Sequence, residues 1–180
     1  APTNQSEAYH LEISANKIVL TANAPQGMYS GVQTLLQLMR DAVFVDATEI
    51  TDWPAFTWRG FMVDVGRNYQ SMKLLKQQID AMAAYKLNVF HFHPTEDIAW
   101  RLQSKLYPQL TDPEFMLRDK GEYYTENDIK ELINYCKERY ITFIPEIDMP
   151  GHSAAFKRAM GVDMQSDAGL EIVKNIIKEF

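Results

Sequence analysis

The stretch VFHFHPTEDIAWRL, residues 89–102, decides the fold of this chain. It begins with an apolar run that contains His91 and His93, and two adjacent carboxylates, Glu96 and Asp97, follow the run. A continuous apolar run of this length is typical of a strand that is buried on both faces, as strands of parallel sheets are. The stretch therefore predicts a buried strand whose carboxyl end carries polar groups with a functional role.

The segments on either side of this stretch alternate between strand and helix. Apolar periodicity predicts strands at 60–65, 88–93 and 141–147, and helices that begin at Ser71, Thr125 and Ser166. Strands separated by helices pair in parallel through right-handed crossovers. The candidates are a doubly wound sheet and a (β/α)8 barrel. No G-x-G-x-x-G motif follows a strand, which counts against a dinucleotide-binding fold.

Residues 1–50 have a different pattern, which we interpret as the C-terminal part of a small α+β domain. Apolar and polar residues alternate at 9–13 and 18–21, which predicts a β-hairpin. Apolar residues at helical spacing then predict a helix at 28–39. A hairpin and one helix are too little to fold alone. The turn-rich sequence TDWP is expected to open the second domain, residues 51–180.

Composition and charge argue against several classes of protein. The net charge of −6 argues against a nucleic-acid partner, which needs a basic surface, and fits a neutral or polar substrate. No apolar run approaches the roughly 18 residues of a transmembrane helix, so no membrane partner is expected. The single cysteine, Cys136, excludes a disulfide within this chain and a multi-cysteine metal site. The first ten residues lack the pattern of a signal peptide.

Each of the three strands predicted after residue 51 ends in charged or titratable residues. The strand ends carry Asp64 and Arg67, then Glu96 and Asp97, then Glu146, Asp148 and His152. In barrels of parallel strands, the carboxyl ends lie on one face, and the chemistry takes place there. Three such ends therefore predict one shared site.

His91 and His93 project from one side of their strand, which leaves two interpretations. An H-x-H pair on a barrel strand is typical of metal-dependent amidohydrolases, in which imidazoles bind a divalent ion. Such a site needs further histidines, and the chain offers only His10 and His152 besides. We therefore expect no metal, with one histidine packed in the barrel and the other hydrogen-bonded near the site.

Four stretches resemble the β-N-acetylhexosaminidases of glycoside hydrolase family 20. They are RGFMVDVGRNYQS (59–71), IDAMAAYKLNVFHFHPTEDIAWRL (79–102), YYTENDI (123–129) and PEIDMPGHSAA (145–155). The earlier stretch GMYSGVQTLLQL (27–38) resembles the end of the small domain that precedes the barrel in that family. The resemblance implies that residues 51–180 are the N-terminal part of a (β/α)8 TIM barrel, with its first three strands.

The resemblance also implies an activity. Members of the family remove terminal β-linked N-acetylglucosamine or N-acetylgalactosamine by a retaining route in which the sugar's own acetamido oxygen is the nucleophile. The substrate would then be a glycan or a small amino sugar. No cofactor is implied, and the family suggests a periplasmic or extracellular location.

In that family a catalytic Asp-Glu pair stands at the end of the fourth strand, and this chain contains no Asp-Glu dipeptide. The pair is therefore expected beyond Phe180, in a longer enzyme of which this chain is a fragment. On that expectation the 180 residues alone are inactive. The alternative is a non-catalytic or degenerate relative that binds carbohydrate.

Roles for individual residues follow from the resemblance. Arg67 matches the family arginine that grips sugar hydroxyls, a task suited to the fixed fork of a guanidinium, and a surface arginine paired with Asp64 is the alternative. His152 matches the histidine that supports the catalytic glutamate, and a histidine that caps the next helix is the alternative. Glu96 stands where the family has an aspartate that hydrogen-bonds this histidine, and a solvated loop acid is the alternative for Glu96. Ile98 and Ala99 replace the family's Gln and Gly.

Asp148 and Trp100 complete the candidate substrate-binding residues. Asp148 is expected near the sugar, or bonded to His152 or Arg67, with a simple ion-pair network as the alternative. Trp100 is a candidate for stacking on a sugar face, with core packing as the alternative. Pro145 in a central strand would remove a ladder donor, so a bulge is expected there.

Overall fold

A computed structural model describes residues 5–40 and 42–179 of the chain. The strands and α-helices follow in the order β1 (Tyr9–Ile13), β2 (Ile18–Ala22), α1 (Pro25–Met39), β3 (Thr48–Asp52), β4 (Gly60–Asp64), α2 (Met72–Ala84), β5 (Val89–His93), α3 (Glu126–Lys137), β6 (Thr142–Pro145), α4 (Ala154–Met160) and α5 (Asp167–Glu179). Two short 3-10 helices, Pro108–Thr111 and Pro113–Phe115, lie between β5 and α3. Within these two described ranges, the helices are all too short or too polar to cross a membrane.

The first three strands form an antiparallel sheet on which α1 packs. The strand order is β2-β1-β3, with Ile13 opposite Ile18 beside the hairpin turn, so the predicted hairpin is confirmed. The sequence pattern does not predict β3, because TEITD is short, mostly polar and paired with a strand far away in the chain. The boundary predicted after residue 50 falls inside β3, which continues to Asp52.

The next three strands form a parallel sheet. Their order is β4-β5-β6, and Gly60, Val89 and Thr142 stand opposite one another in a regular register. A helix lies in each crossover, α2 between β4 and β5, and α3 between β5 and β6. The predicted fold class is therefore confirmed, with α/β elements arranged as in the first part of a barrel and a small α+β unit before them.

The main hydrophobic core lies between the parallel sheet and its helices. Ser71 caps α2, because its hydroxyl accepts the N–H of Leu74 at 3.3 Å. An N-cap of this kind is worth about 1 kcal/mol. The helix then buries its predicted stripe against the sheet, consisting of Leu75, Ile79, Met82 and Ala83.

The second long crossover helix, α3, begins with a capping box. The hydroxyl of Thr125 accepts the N–H of Asp128, and the Asp128 carboxylate accepts the N–H of Thr125 at 2.8 Å. Leu132 and Cys136 are buried in the main core, and burial raises the pKa of the Cys136 thiol to about 12. Apolar residues at helical spacing predict that Ile133 is buried as well, but this residue is 42% exposed.

The bulge expected at Pro145 does not form. Pro145 is the last residue of β6 and stands opposite Phe92 in an unbroken register. The N–H of Thr142 donates to the carbonyl oxygen of Asn88, just before β5, and the N–H of Glu146 donates to that of Phe92 in β5, both at 2.8 Å. Because N–H groups alternate between the two sides of a strand, the nitrogen of Pro145 faces away from β5, and the ladder loses no bond there.

Polar contacts join the small unit to the parallel sheet. Lys86, just after α2, donates to the hydroxyl of Tyr9 at 2.9 Å and to Asp52 at 2.8 Å. Arg59, just before β4, pairs with Glu7. These contacts lie at the amino-terminal ends of the parallel strands. The small unit therefore packs away from the strand ends that carry the candidate site residues.

Candidate active site

Three candidate residues occupy equivalent places beyond the strand ends. Arg67, Glu96 and Asp148 each lie three residues after the last residue of β4, β5 and β6. Parallel strands present their carboxyl ends at one edge of the sheet, so the three loops begin side by side. His152 follows Asp148 in the third loop. The structure brings Arg67, Glu96 and His152 into contact.

Glu96 is at the centre of this contact and is buried, with 2% of its surface exposed. Its Oε1 atom pairs with the guanidinium of Arg67 and lies 2.8 Å from Nδ1 of His152. Its Oε2 atom accepts the backbone N–H of Asp97 at 2.6 Å. A buried carboxylate is costly unless it is paired and hydrogen-bonded. Glu96 therefore connects Arg67 to His152, and the alternative of a solvated loop acid is wrong.

Arg67 is fixed by two acids and remains half exposed. Its backbone N–H donates to Oδ1 of Asp64 at 2.9 Å, and its guanidinium pairs with Asp64 and Glu96. The hydrogen bond to Asp64 raises the pKa of Arg67 above its usual value. A guanidinium has five N–H donors, so several still face solvent. Such a fixed fork can bind two neighbouring hydroxyl groups.

His152 lies in the loop after β6, where its backbone bends back over Glu96. Its φ of 47° is in the left-handed region, which is uncommon for residues other than glycine. Nδ1 of His152 is 2.8 Å from Glu96 and 3.7 Å from Asp97. An imidazole held by a carboxylate at one nitrogen can offer the other nitrogen to a second acid.

Asp97 fixes the loop that carries His152. Its Oδ1 atom accepts the N–H of Ala154, the first residue of α4, at 2.9 Å. Arg158, from the same helix, donates to the carbonyl oxygen of Asp97 at 2.7 Å. Sequence reasoning assigned Asp97 no role and did not predict α4, which is only seven residues long. The one available signal was the position of Asp97 beside another acid, Glu96.

A second group of histidines and acids lies closer to the strands. His91 and His93 belong to β5, and Glu146 directly follows β6. Oε2 of Glu146 is 2.5 Å from Nε2 of His91 and 3.5 Å from Nδ1 of His93. The carboxylate of Asp148 lies 3.9 Å from Nε2 of His93. Within the described ranges Asp148 thus belongs to this ion-pair network and not to the contact around Glu96, and its role toward a sugar stays a prediction.

Two triads bring possible metal ligands close together. They are His93, Glu146 and Asp148, and Glu96, Asp97 and His152. In the first triad, Nε2 of His93 already bonds the carbonyl oxygen of Thr95 at 2.7 Å. In the second, a guanidinium already neutralises Glu96. Both observations disfavour an ion, and the expectation of a metal-free site stays a prediction.

Trp100 does not lie at the site surface. Only 2% of its surface is exposed, and its indole N–H donates to the carbonyl oxygen of Leu102 at 2.8 Å. Its ring packs against Phe156 of α4, with ring centroids 6.4 Å apart. No face of the indole is open to a sugar, so the prediction that Trp100 stacks on substrate is wrong, and Trp100 is a core residue.

The fold and the site define this chain as part of a β/α barrel with charged groups at the carboxyl ends of its strands. Residues 56–176 match the glycosyl hydrolase family 20 catalytic domain, and residues 1–53 match glycosyl hydrolase family 20 domain 2. The chain belongs to glycosyl hydrolase family 20, and the resemblance read from its motifs is confirmed.

Relatives with known names agree with this membership. The beta-hexosaminidase of Porphyromonas gingivalis is 39% identical over 167 residues, which cover 84% of this chain and 21% of the relative. The β-N-acetylhexosaminidase structure from Bacteroides fragilis has 33% identity and a TM-score of 0.87, and the match covers 97% of this chain and 40% of that one. A family 20 exo β-N-acetylglucosaminidase from Vibrio harveyi, solved with N-acetylglucosamine, has 33% identity and a TM-score of 0.83, and the match covers 93% of this chain and 30% of that one. The chain therefore spans less than half of each relative.

Proposed function

We propose that this chain supplies a sugar-binding arginine and a supporting histidine–carboxylate pair to the active site of a β-N-acetylhexosaminidase. The complete enzyme hydrolyses terminal β-linked N-acetylglucosamine or N-acetylgalactosamine with retention of configuration. The observation that carries the proposal is the contact of Arg67, Glu96 and His152 at the carboxyl ends of parallel strands. Family membership and the N-acetylglucosamine complex of the Vibrio harveyi relative support it.

Arg67 binds adjacent hydroxyl groups of the terminal sugar. Its guanidinium is held by Asp64 and Glu96, so little side-chain entropy is lost when the sugar arrives. The side chain stays half exposed, so donors remain for a ligand. Hydroxyls that do not react make the same bonds before and during the reaction, so Arg67 contributes binding more than rate.

His152 acts on the catalytic acid. With Nδ1 on Glu96, its Nε2 atom is the nitrogen that can reach a further carboxylate. That carboxylate belongs to the Asp-Glu pair, which we place on another strand of the complete barrel. The acetamido oxygen of the sugar attacks the anomeric carbon, the bond to the leaving oxygen breaks, and the acid gives that oxygen its proton.

The sequence predicts a domain boundary after residue 50. We propose that it lies slightly later, just after β3. The antiparallel sheet, which ends at Asp52, belongs to the small domain, and the barrel begins with the segment before β4. The small domain supports the amino-terminal ends of the barrel strands through Lys86 and Arg59. None of its residues that the structure describes takes part in the contact around Glu96.

The test is hydrolysis of chromogenic glycosides by the full-length protein. We expect turnover of the β-N-acetylglucosaminide and β-N-acetylgalactosaminide, and none of the matching β-glucoside, which lacks the acetamido nucleophile. Equal rates on the glucoside would contradict the substrate-assisted route. Failure to cleave any of these substrates, with N-acetylglucosamine still bound, would favour a non-catalytic carbohydrate-binding relative.

The 180-residue chain by itself is expected to be inactive in the same assay. General acid catalysis is typically worth about 10²–10⁴ in rate, and this chain contains no Asp-Glu dipeptide. Turnover by the pure chain above a blank preparation would show that the reaction does not need that pair.

A further inference from the structure

Arg101 is a completely buried guanidinium behind the loops of the site, and the proposed reaction gives it no role. Its exposed fraction is 0%, which is rare for a charged side chain. The nearest carboxylate oxygen, Oδ2 of Asp119, is 3.5 Å from Nη2. The charge of Arg101 is therefore compensated mainly by neutral hydrogen-bond acceptors.

Those acceptors are backbone carbonyl oxygens from two separate segments. Nε of Arg101 donates to the carbonyl oxygen of Gly66 at 3.3 Å. The two terminal nitrogens donate to carbonyl oxygens of Arg118 at 3.0 Å, Asp119 at 3.1 Å and Glu122 at 2.8 Å. One planar group thus joins the turn after β4 to the loop 118–122.

Both segments lead to Arg67. Gly66 directly precedes Arg67, and its N–H donates to the carbonyl oxygen of His93 at 3.1 Å, so the residue before Arg67 is bonded on both sides. Arg118, whose own carbonyl oxygen is bonded to Arg101, donates from Nη1 to the carbonyl oxygen of Arg67 at 3.3 Å. Arg101 therefore acts on the backbone of Arg67 through two routes.

Tyr69 adds a third connection between the same segments. Its N–H donates to Oδ2 of Asp119 at 2.9 Å, and its ring lies 6.0 Å from the guanidinium carbon of Arg101. The acceptors are spread around a plane and therefore match the fork of an arginine. A lysine has three donors at one point and cannot reach both segments at once.

We propose that Arg101 is a positioning residue for Arg67, which it holds where neighbouring sugar hydroxyls bind, without touching the sugar itself. This inference rests on the proposed function, because the sugar-binding role of Arg67 belongs to that function. A loosened segment 66–69 weakens binding of the sugar in the ground state and the transition state alike. The consequence is a raised KM with little change in kcat.

The experiment compares Arg101→Lys with Arg67→Ala in the full-length protein, with a chromogenic β-N-acetylglucosaminide as substrate. Arg101→Lys should raise KM about five- to tenfold through lost hydrogen bonds and leave kcat within about twofold. The double variant should have the KM of Arg67→Ala, because both changes act on one contact. Arg139→Met is the matched control, since this guanidinium bonds Asp80 at the amino-terminal end of the sheet and should leave KM unchanged.

Additive effects on KM, or an unchanged KM in folded Arg101→Lys, would overturn the inference. If Arg101→Lys does not fold, Arg118→Ala tests the second route in an exposed residue, with an expected rise in KM of about two- to threefold from the lost bonds to Arg67 and Asn68. An unchanged KM in Arg118→Ala would then overturn it. The proposed function fails separately, if Arg67→Ala itself leaves KM unchanged.

Discussion

Two groups of histidines and carboxylates lie at the carboxyl ends of the parallel strands, and they are built differently. The rim group consists of Arg67, Glu96 and His152. The strand group consists of His91, His93, Glu146 and Asp148. The rim group comes entirely from loops and includes a guanidinium. The strand group connects β5 to the end of β6, and histidines are its basic members.

The two groups contain different basic residues, and this difference suits them to different tasks. A guanidinium stays charged at any ordinary pH, so Glu96 always faces a cation and keeps its place between Arg67 and His152. Glu146 instead faces two imidazoles, those of His91 and His93. The rim group is therefore suited to orient a substrate and an acid. The strand group is suited to hold two neighbouring strands together.

The largest expected effect comes from breaking the rim group at His152. In the full-length protein, His152→Ala should lower kcat on the order of 10²-fold, at the low end of acid–base assistance, with a smaller change in KM. Glu96→Gln should act similarly, and the double variant should be little worse than either single one because the residues share one network. Steady-state kinetics of the three variants provide the check. If the two losses in kcat multiply in the double variant, Glu96 does not act through His152.

The next effect concerns binding by the same group. Arg67→Ala should raise KM about ten- to a hundredfold, since a hydrogen bond to a charged donor is worth about 1.5–3 kcal/mol. Arg67→Lys keeps the positive charge but loses the planar guanidinium. Its KM should lie between that of the unmodified protein and that of Arg67→Ala. An equal loss in kcat with no change in KM would place Arg67 in the chemical step and contradict its binding role.

Substitution in the strand group should lower the stability of the protein and hardly change its activity. Glu146→Gln should lower the free energy of unfolding by about 1 kcal/mol through weakened bonds to His91 and His93, with kcat/KM within about threefold. Urea unfolding measures the first and kinetics the second. The control is Glu131→Gln, which removes the charge of an exposed carboxylate that pairs with Lys76. It should lower the free energy of unfolding by less than Glu146→Gln does. If Glu146→Gln reduced activity as much as Glu96→Gln, the two groups would not differ in task.

The smallest expected effect is that of a chelator. Prolonged dialysis of the full-length enzyme against EDTA should leave kcat and KM unchanged, because the possible ligands in both groups already have protein partners. Loss of activity that zinc or manganese restores would identify a metal. His93→Gln and His152→Gln would then show which group holds it.

The same two groups show how far the sequence could predict the site. His91 and His93 alternate along one strand, so the period of two places both on one side, where Glu146 of the neighbouring loop can meet them. His152 lies in a loop with a left-handed backbone, and no periodicity applies there. Only the likeness of its motif to a known family indicated its partner, Glu96.

The errors have a common physical origin in packing between distant segments. Trp100 is buried by Phe156, which belongs to a short helix without a clear apolar period. β3 becomes a strand because β1 pairs with it, although its own sequence is mostly polar. The strands of the parallel sheet and the long helices that pack on it were predictable, because each strand is an apolar run and each helix has an apolar period. Contacts made by loops and short elements depend on the completed fold.

Gly66 sets a limit on how the site can vary. A Cβ atom there would lie 2.7 Å from Cβ of Glu96, which is closer than Cβ atoms approach other atoms in proteins, and 3.2 Å from the backbone of Thr95. At Gly151, directly before His152, an added Cβ would meet no atom within 4 Å. In a saturation library of the two loops, position 66 should be recovered only as glycine, whereas position 151 should accept alanine. The spacing of Arg67 and Glu96 thus depends on the absence of a side chain at position 66.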